Sequence, residues 1–326
     1  MGKGRLYGDY IKMLCETVVC LGKIPVVWAD IALKYPDALE GLPKETVFVD
    51  WNYGWSLDRF GDHQKLMESG FEIWGAPALR SAQDNYFLTD WQKHFNNLHS
   101  FVPDARRLGY TGMIMTSWST SGIYSRVKDS HSETEDLYAI RRVYPLSGFD
   151  MLVSAYFASL RQQEGIVIAD FVRQYANRQY GFTPQQATVF WNALKRAPLE
   201  VVQGQVQGSS INALIDSAQL SNTELKQLKP LRNAAAYAHY QLMSDIRMFY
   251  LRCMQVEIQL NDSNYTRDKA PALLAALRTL QPEVLNKRFA ALNRGWLYPA
   301  EIAEENRVRN MRYYQLKNKI GHERAQ

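Results

Sequence analysis

Four tryptophans lie at or near the C-terminal ends of four short apolar runs: Trp28 in PVVWAD, Trp51 in VFVDWNYGW, Trp74 in FEIWGAPAL and Trp118 in YTGMIMTSW. Polar and aromatic residues crowd the same places, Asp30 just after the first, and Asp50, Asn52, Tyr53 and Trp55 around the second. Indoles offer flat apolar faces, while carboxylates, amides and phenols exchange hydrogen bonds at their edges. Such a mixture suits a ligand with C–H faces and a fringe of hydroxyls, the chemistry of a pyranose ring. Tyr53 and Trp55 share the two-residue phase of Trp51, whereas Asp50 is out of phase with it. Taken singly, Trp28, Trp74 and Trp118 would also serve as core fillers, and Asp30 as a cap to the turn that follows it. Four tryptophans at equivalent positions are harder to explain by packing alone.

The elements that must position them can be read from periodicity. Residues 7–21 place Tyr7, Tyr10, Ile11, Leu14, Val18 and Leu21 at helical spacing, with Gly22 as a C-terminal cap before the first apolar run. Helical stretches ending at Gly70 and Gly109 lead into the third and fourth runs. Strands alternating with helices predict an α/β fold with a parallel sheet and right-handed crossovers, whose sites lie at the C-terminal strand ends. From about residue 150 only helical patterns follow, so the expected division is 1–148 and 149–326, the latter all-α. Thr183, Pro184 and Gln186 read as a capping box. Ser221 and Glu224 predict a further helix start, and helices are expected over 268–292 and 299–319.

Composition narrows the possibilities. The 326 residues carry a net charge of +5 with scattered basic residues. The one basic run, Arg307, Arg309, Arg312, Lys317 and Lys319, is interleaved with glutamates and is expected to be a solvated helix face rather than a nucleic-acid patch. Cys15, Cys20 and Cys253 form no disulfide or CxxC pattern and are expected to be buried thiols. Neither GxGxxG nor GxxxxGK[ST] is present, and no cofactor or metal is expected. His63, His94 and His99 are expected at the surface. No apolar run is long enough to span a membrane, and no secretory segment opens the sequence.

The runs GKIPVVWADI, VFVDWNYGW, IWGAPAL and GYTGMIMTSWS, in this order and spacing, resemble the second half of the catalytic domain of glycoside hydrolase family 20. These are the β-N-acetylhexosaminidases, and the hexosaminidase D-like branch is the nearer. The resemblance spans roughly residues 5–125. It implies the C-terminal half of a (β/α)8 TIM barrel followed by an all-α domain, and removal of terminal N-acetylhexosamine from glycans by substrate-assisted retaining catalysis. Carried over by position, Trp28 and Trp118 would wall the acetamido pocket, Tyr53 would donate to the acetamido oxygen, and Asp30 would meet sugar hydroxyls. Trp51, Trp55 and Trp74 complete the expected binding set.

The sequence departs from that family at two points. The family's general acid lies in an Asp-Glu pair at the end of the fourth strand, and this chain has no Asp-Glu dipeptide. The family's last strand carries a glutamate two residues after its tryptophan, where this chain has Thr120. The expectation is therefore a chain that starts in mid-barrel, is inactive alone, and meets an N-terminal half-barrel or a second copy of itself. The alternative is a non-catalytic sugar-binding or interaction protein derived from such a barrel.

Overall fold

The apolar runs do form strands, and each is short because its flanks stop it. The computed structural model describes residues 2–81, 90–117, 150–196, 201–202, 205–206 and 210–325. Helix α1 (Lys3–Cys20) leads to β1 (Val26–Trp28), and α2 (Asp30–Lys34) leads through a 3-10 turn at Pro36–Leu39 to β2 (Val47–Trp51). Next come α3 (His63–Glu68), β3 (Glu72–Ala76), β4 (Ala78–Arg80), α4 (Trp91–Arg107), β5 (Gly112–Met113) and β6 (Thr116–Ser117). Gly22, Gly70 and Gly109 all take positive φ where the helices end, as glycine caps do.

Strands β1, β2, β3 and β5 lie side by side in sequence order, every pair parallel. The third and fourth runs each split in two, because Pro77 has no N–H to continue the ladder. Beyond it β4 pairs with β6 in a second small parallel sheet, and Thr116 donates to the Pro77 carbonyl at 2.9 Å. The chain is thus an α/β protein, mostly helical, with a small parallel sheet.

The chain divides into two compact units. The first takes residues up to Ser81, Gln92–Ser117 and Leu152–Ile168. Its core is Ala29, Ala32, Leu33, Phe48, Leu66 and Ile73 with their neighbours, on the helix-covered face of the sheet. Phe48 and Ile73 are adjacent in register, so Val49 and Trp74, one residue on, belong to the opposite face. Within this unit Tyr156 of α5 (Asp150–Leu160) donates to the Met113 carbonyl at 3.1 Å.

The second unit is mostly helical, with α6 (Ile168–Tyr180), α7 (Pro184–Lys195), α8 (Ile211–Gln227), α9 (Ala234–Leu260), α10 (Ala270–Arg278), α11 (Pro282–Asn293) and α12 (Pro299–Ala325). It is not all-α as expected, because β7 (Val201–Val202) and β8 (Gln205–Val206) pair antiparallel between α7 and α8. The capping box at Thr183 and Gln186 is formed in both directions. Ser221 is a buried mid-helix residue instead of a helix start, because Ser210 caps α8 by accepting from Ala213. The expected 268–292 helix is broken at Gln281, which has positive φ, so that Pro282 opens a new one. The C-terminal basic run is not uniformly solvated: Arg309 is buried over the Phe289 ring, and Arg312 pairs with Glu257. Cys15 and Cys253 are buried, but Cys20 is exposed at the end of α1. Among the described residues no helix is long and apolar enough to cross a membrane.

Candidate functional site

The register sets Trp28 opposite Val49, Val49 opposite Trp74, and Trp74 opposite Gly112. Trp28 and Trp74 therefore stand in one layer of the face turned away from the helix core, on either side of a valine. Trp28 is 40% exposed at the end of the edge strand. Trp74 lies across Gly112, where any β-carbon would collide with the indole. The ring is also tied, since its Nε1 donates to Glu72 Oε1 at 2.8 Å while Thr111 Oγ1 donates to the same oxygen at 2.9 Å.

These two donors, Trp74 first, hold the Glu72 carboxyl below its usual range. The tie is complete above the ordinary pKa of 4.5 and is lost as pH falls through the lower folded-state value. The part of the indole emission that Trp74→Phe removes is accordingly expected to hold steady from pH 7 to about 4.5 and to change only in more acid solution. Fluorescence titration of the two proteins side by side checks this.

A second aromatic group spans the end of β2 and the loop after it. The Trp51 ring lies 5.0 Å from Tyr53, 5.1 Å from Trp55 and 4.7 Å from Phe60, centroid to centroid. Tyr53 and Trp55 are 5.2 Å apart. The shared phase of 51, 53 and 55 thus becomes one cluster. Asn52 holds the turn between them, its Oδ1 accepting from the Gly54 and Trp55 amides at 2.9 and 3.3 Å and its Nδ2 donating to the Trp55 carbonyl. That side chain is committed to the loop. Tyr53 is buried, and the Arg59 guanidinium covers Trp55 at 4.3 Å.

Asp30 is the first residue of α2, half-buried. Burial first, and then the charge of Asp30, push the Tyr7 phenol of α1 above its usual pKa. Trp118, the fourth expected wall, lies outside the described residues.

One polar group was not anticipated. Asp50 shares the phase of Phe48 and is buried on the helix-covered face. His63 Nε2 donates to its Oδ2 at 3.0 Å, and the Tyr110 hydroxyl donates to the same oxygen at 2.8 Å. Burial, and then the facing Asp50 charge, raise the Tyr110 pKa far above the usual phenol value. The expectation of surface histidines is corrected for two of the three: His63 and His94 are buried. His99 is exposed, as expected, and its Nδ1 bonds the Ile166 carbonyl at 2.9 Å. Amphipathic spacing does not register a histidine turned inward toward a strand carboxylate, but a carboxylate in phase with a core phenylalanine does call for buried donors. Arg80, fully buried at the end of β4, was also unanticipated.

Among the described residues no cluster of histidine, cysteine or carboxylates has the makings of a metal site. No protein-family model and no curated protein matches this sequence.

Proposed function

We propose that the chain forms the C-terminal half of a family 20 (β/α)8 barrel followed by an all-α domain, and that its sheet face binds the N-acetylhexosamine end of a glycan. The observation that supports this most is the register, which brings Trp28 and Trp74 into one layer of one sheet face with the Trp51, Tyr53 and Trp55 cluster on the loop beyond β2. Trp28 and Trp51 end β1 and β2, where folds of this class hold their ligands, and Trp74 stands two residues before the end of β3. Their C–H-philic faces suit a pyranose and its acetamido methyl.

In this reading the chain supplies binding, not proton transfer. Substrate-assisted hydrolysis needs one carboxylate to orient the acetamido group and a carboxylic acid to protonate the leaving oxygen. The family's Asp-Glu pair for these roles has no counterpart in this sequence. Those groups would come from another segment or polypeptide that completes the barrel. The chain alone is then a sugar-binding protein without hydrolase activity.

Titration of the purified chain with N-acetylglucosamine is expected to change its tryptophan emission. Trp28→Ala should weaken that binding about tenfold or more, equivalent to ~1.4 kcal/mol. Trp296→Ala, an exposed tryptophan of the helical unit, should leave it unchanged. The chain should not cleave 4-nitrophenyl N-acetyl-β-glucosaminide until an N-terminal half-barrel carrying the Asp-Glu pair is added. Cleavage by the chain alone would overturn the division of labour, and absence of binding would overturn the sugar site.

A further inference from the structure

The connection between α9 and α10 reads NDSNYTRDK, residues 261–269. It holds two Asn-X-Ser/Thr triplets back to back, Asn261-Asp262-Ser263 and Asn264-Tyr265-Thr266, and the sequence has no other. Both asparagines are exposed, and neither side-chain amide enters a hydrogen bond among the described residues. That sets them apart from Asn52, Asn97, Asn177, Asn222 and Asn286, whose side chains fasten loops and helices. The backbone around Asn264, in contrast, is held. Asp262 Oδ1 accepts from the Asn264 N–H at 2.7 Å, the Asp262 carbonyl accepts from the Tyr265 N–H at 2.9 Å, and Lys269 Nζ donates to the Asn264 carbonyl at 2.7 Å. A turn fixed in this way displays two uncommitted carboxamides on the surface of the helical unit.

We propose that this loop is the acceptor of an N-linked glycan, carried at Asn264. The site does not depend on the sugar-binding reading, because it uses no group of the sheet. The triplet has a chemical basis: the hydroxyl two residues on hydrogen-bonds the acceptor carboxamide, whose nitrogen is otherwise a poor nucleophile. Transfer joins Asn264 Nδ2 to the anomeric carbon of an N-acetylglucosamine. The C–O bond to a lipid pyrophosphate breaks, its electron pair leaves on the pyrophosphate, and one amide proton is lost to solvent. The co-substrate is thus a lipid-pyrophosphate oligosaccharide, presented by a transferase of the secretory lumen. A bulky polar chain at an exposed carboxamide displaces no packed group, so the folded unit accommodates it.

Three differences favour Asn264 over Asn261. Thr266 is β-branched, so its hydroxyl has fewer rotamers to lose than that of Ser263. Tyr265 is neutral, whereas Asp262 sets a carboxylate inside the first triplet, where it repels the donor pyrophosphate. Asn261 caps α9 with its N–H bonded to the Glu257 carbonyl at 2.9 Å, while Asn264 lies between the helices in the turn itself. Two glycans three residues apart would also crowd each other, so one per chain is expected.

Peptide mass spectrometry of the full chain, both from its own cells and expressed behind a secretory leader in a eukaryotic host, tests this. Enzymatic glycan removal in heavy-oxygen water converts each glycosylated asparagine to a labelled aspartate. A label at Asn264 and none at Asn261 is expected in both preparations. Asn264→Gln and Thr266→Ala should each abolish the label at 264 with the circular dichroism of the chain unchanged, and Thr266→Ser should keep it at severalfold lower occupancy. Measuring total lumenal chain, secreted or retained, keeps a variant that folds poorly informative. An unlabelled Asn264 in either preparation would overturn the proposal, as would a label there that survives Thr266→Ala.

Discussion

Asp50→Ala is expected to lower the stability of the sheet-bearing unit by about 3–5 kcal/mol, the cost of removing one partner from a buried charged or hydrogen-bonded group. Asp50 Oδ2 accepts from both His63 and Tyr110, and all three side chains are largely enclosed. Alanine leaves two buried donors with no acceptor at this site and opens a small void between them. Asp50→Asn keeps an amide oxygen in place and should cost less, while Tyr110→Phe removes one donor together with its need and should cost only about 1–2 kcal/mol. Urea unfolding followed by tryptophan emission measures each value.

The location of this group makes the experiment informative about binding as well. Asp50 precedes the aromatic loop and His63 follows it, so their hydrogen bond closes a segment that carries Trp51, Tyr53, Trp55 and Phe60. The Asn97 amide joins from α4, donating to the Asn52 carbonyl at 2.9 Å. A ligand that uses the loop cluster should bind less tightly to Asp50→Ala even at temperatures where the variant remains folded. A ligand confined to Trp28 would not register the change.

How much of this was legible in the sequence differs from element to element. The parallel order of β1, β2 and β3 followed from strands separated by helices, and the cluster at 51, 53 and 55 from a shared two-residue phase. Glycine caps at 22, 70 and 109 marked helix ends because positive φ leaves few other choices. The break at Pro77 was less legible, since the run FEIWGAPAL is apolar on both sides of it. Ser221 is ambiguous in the sequence because serine caps and buried mid-helix serines look alike without their neighbours. His63 is ambiguous for a similar reason: its inward direction depends on Asp50, thirteen residues earlier in the chain. Helix α1 is legible as a helix, but periodicity does not separate its buried residues from its exposed ones. Leu6 and Cys15 differ in what lies opposite them, which is a tertiary fact.

Gly61→Ala is the second change expected to be severe, and it tests the other anchor of the same loop. Gly61 has φ +150°, a value that L side chains rarely adopt, and a β-carbon there would overlap the carbonyl of Leu33 in α2. Leu33 is itself in the core, so its backbone has little room to retreat. Relief must come from the loop, and the combined cost of strain and displacement is about 3 kcal/mol or more. Displacing residue 61 moves Phe60, whose ring packs both on the core and against Trp51. The expected result is therefore a lower urea midpoint together with a red-shifted tryptophan emission in the native baseline, as Trp51 and Trp55 lose their neighbours. Gly54→Ala provides the contrast. Gly54 also has positive φ, but its nearest neighbour would be the Lys93 side chain at 3.7 Å, so only the conformational strain is incurred. If both glycines cost the same, backbone conformation alone sets the loop. A much larger loss at Gly61 would mean that contact with α2 holds the aromatic cluster in place, with the Asp50–His63 bond as its second fastening.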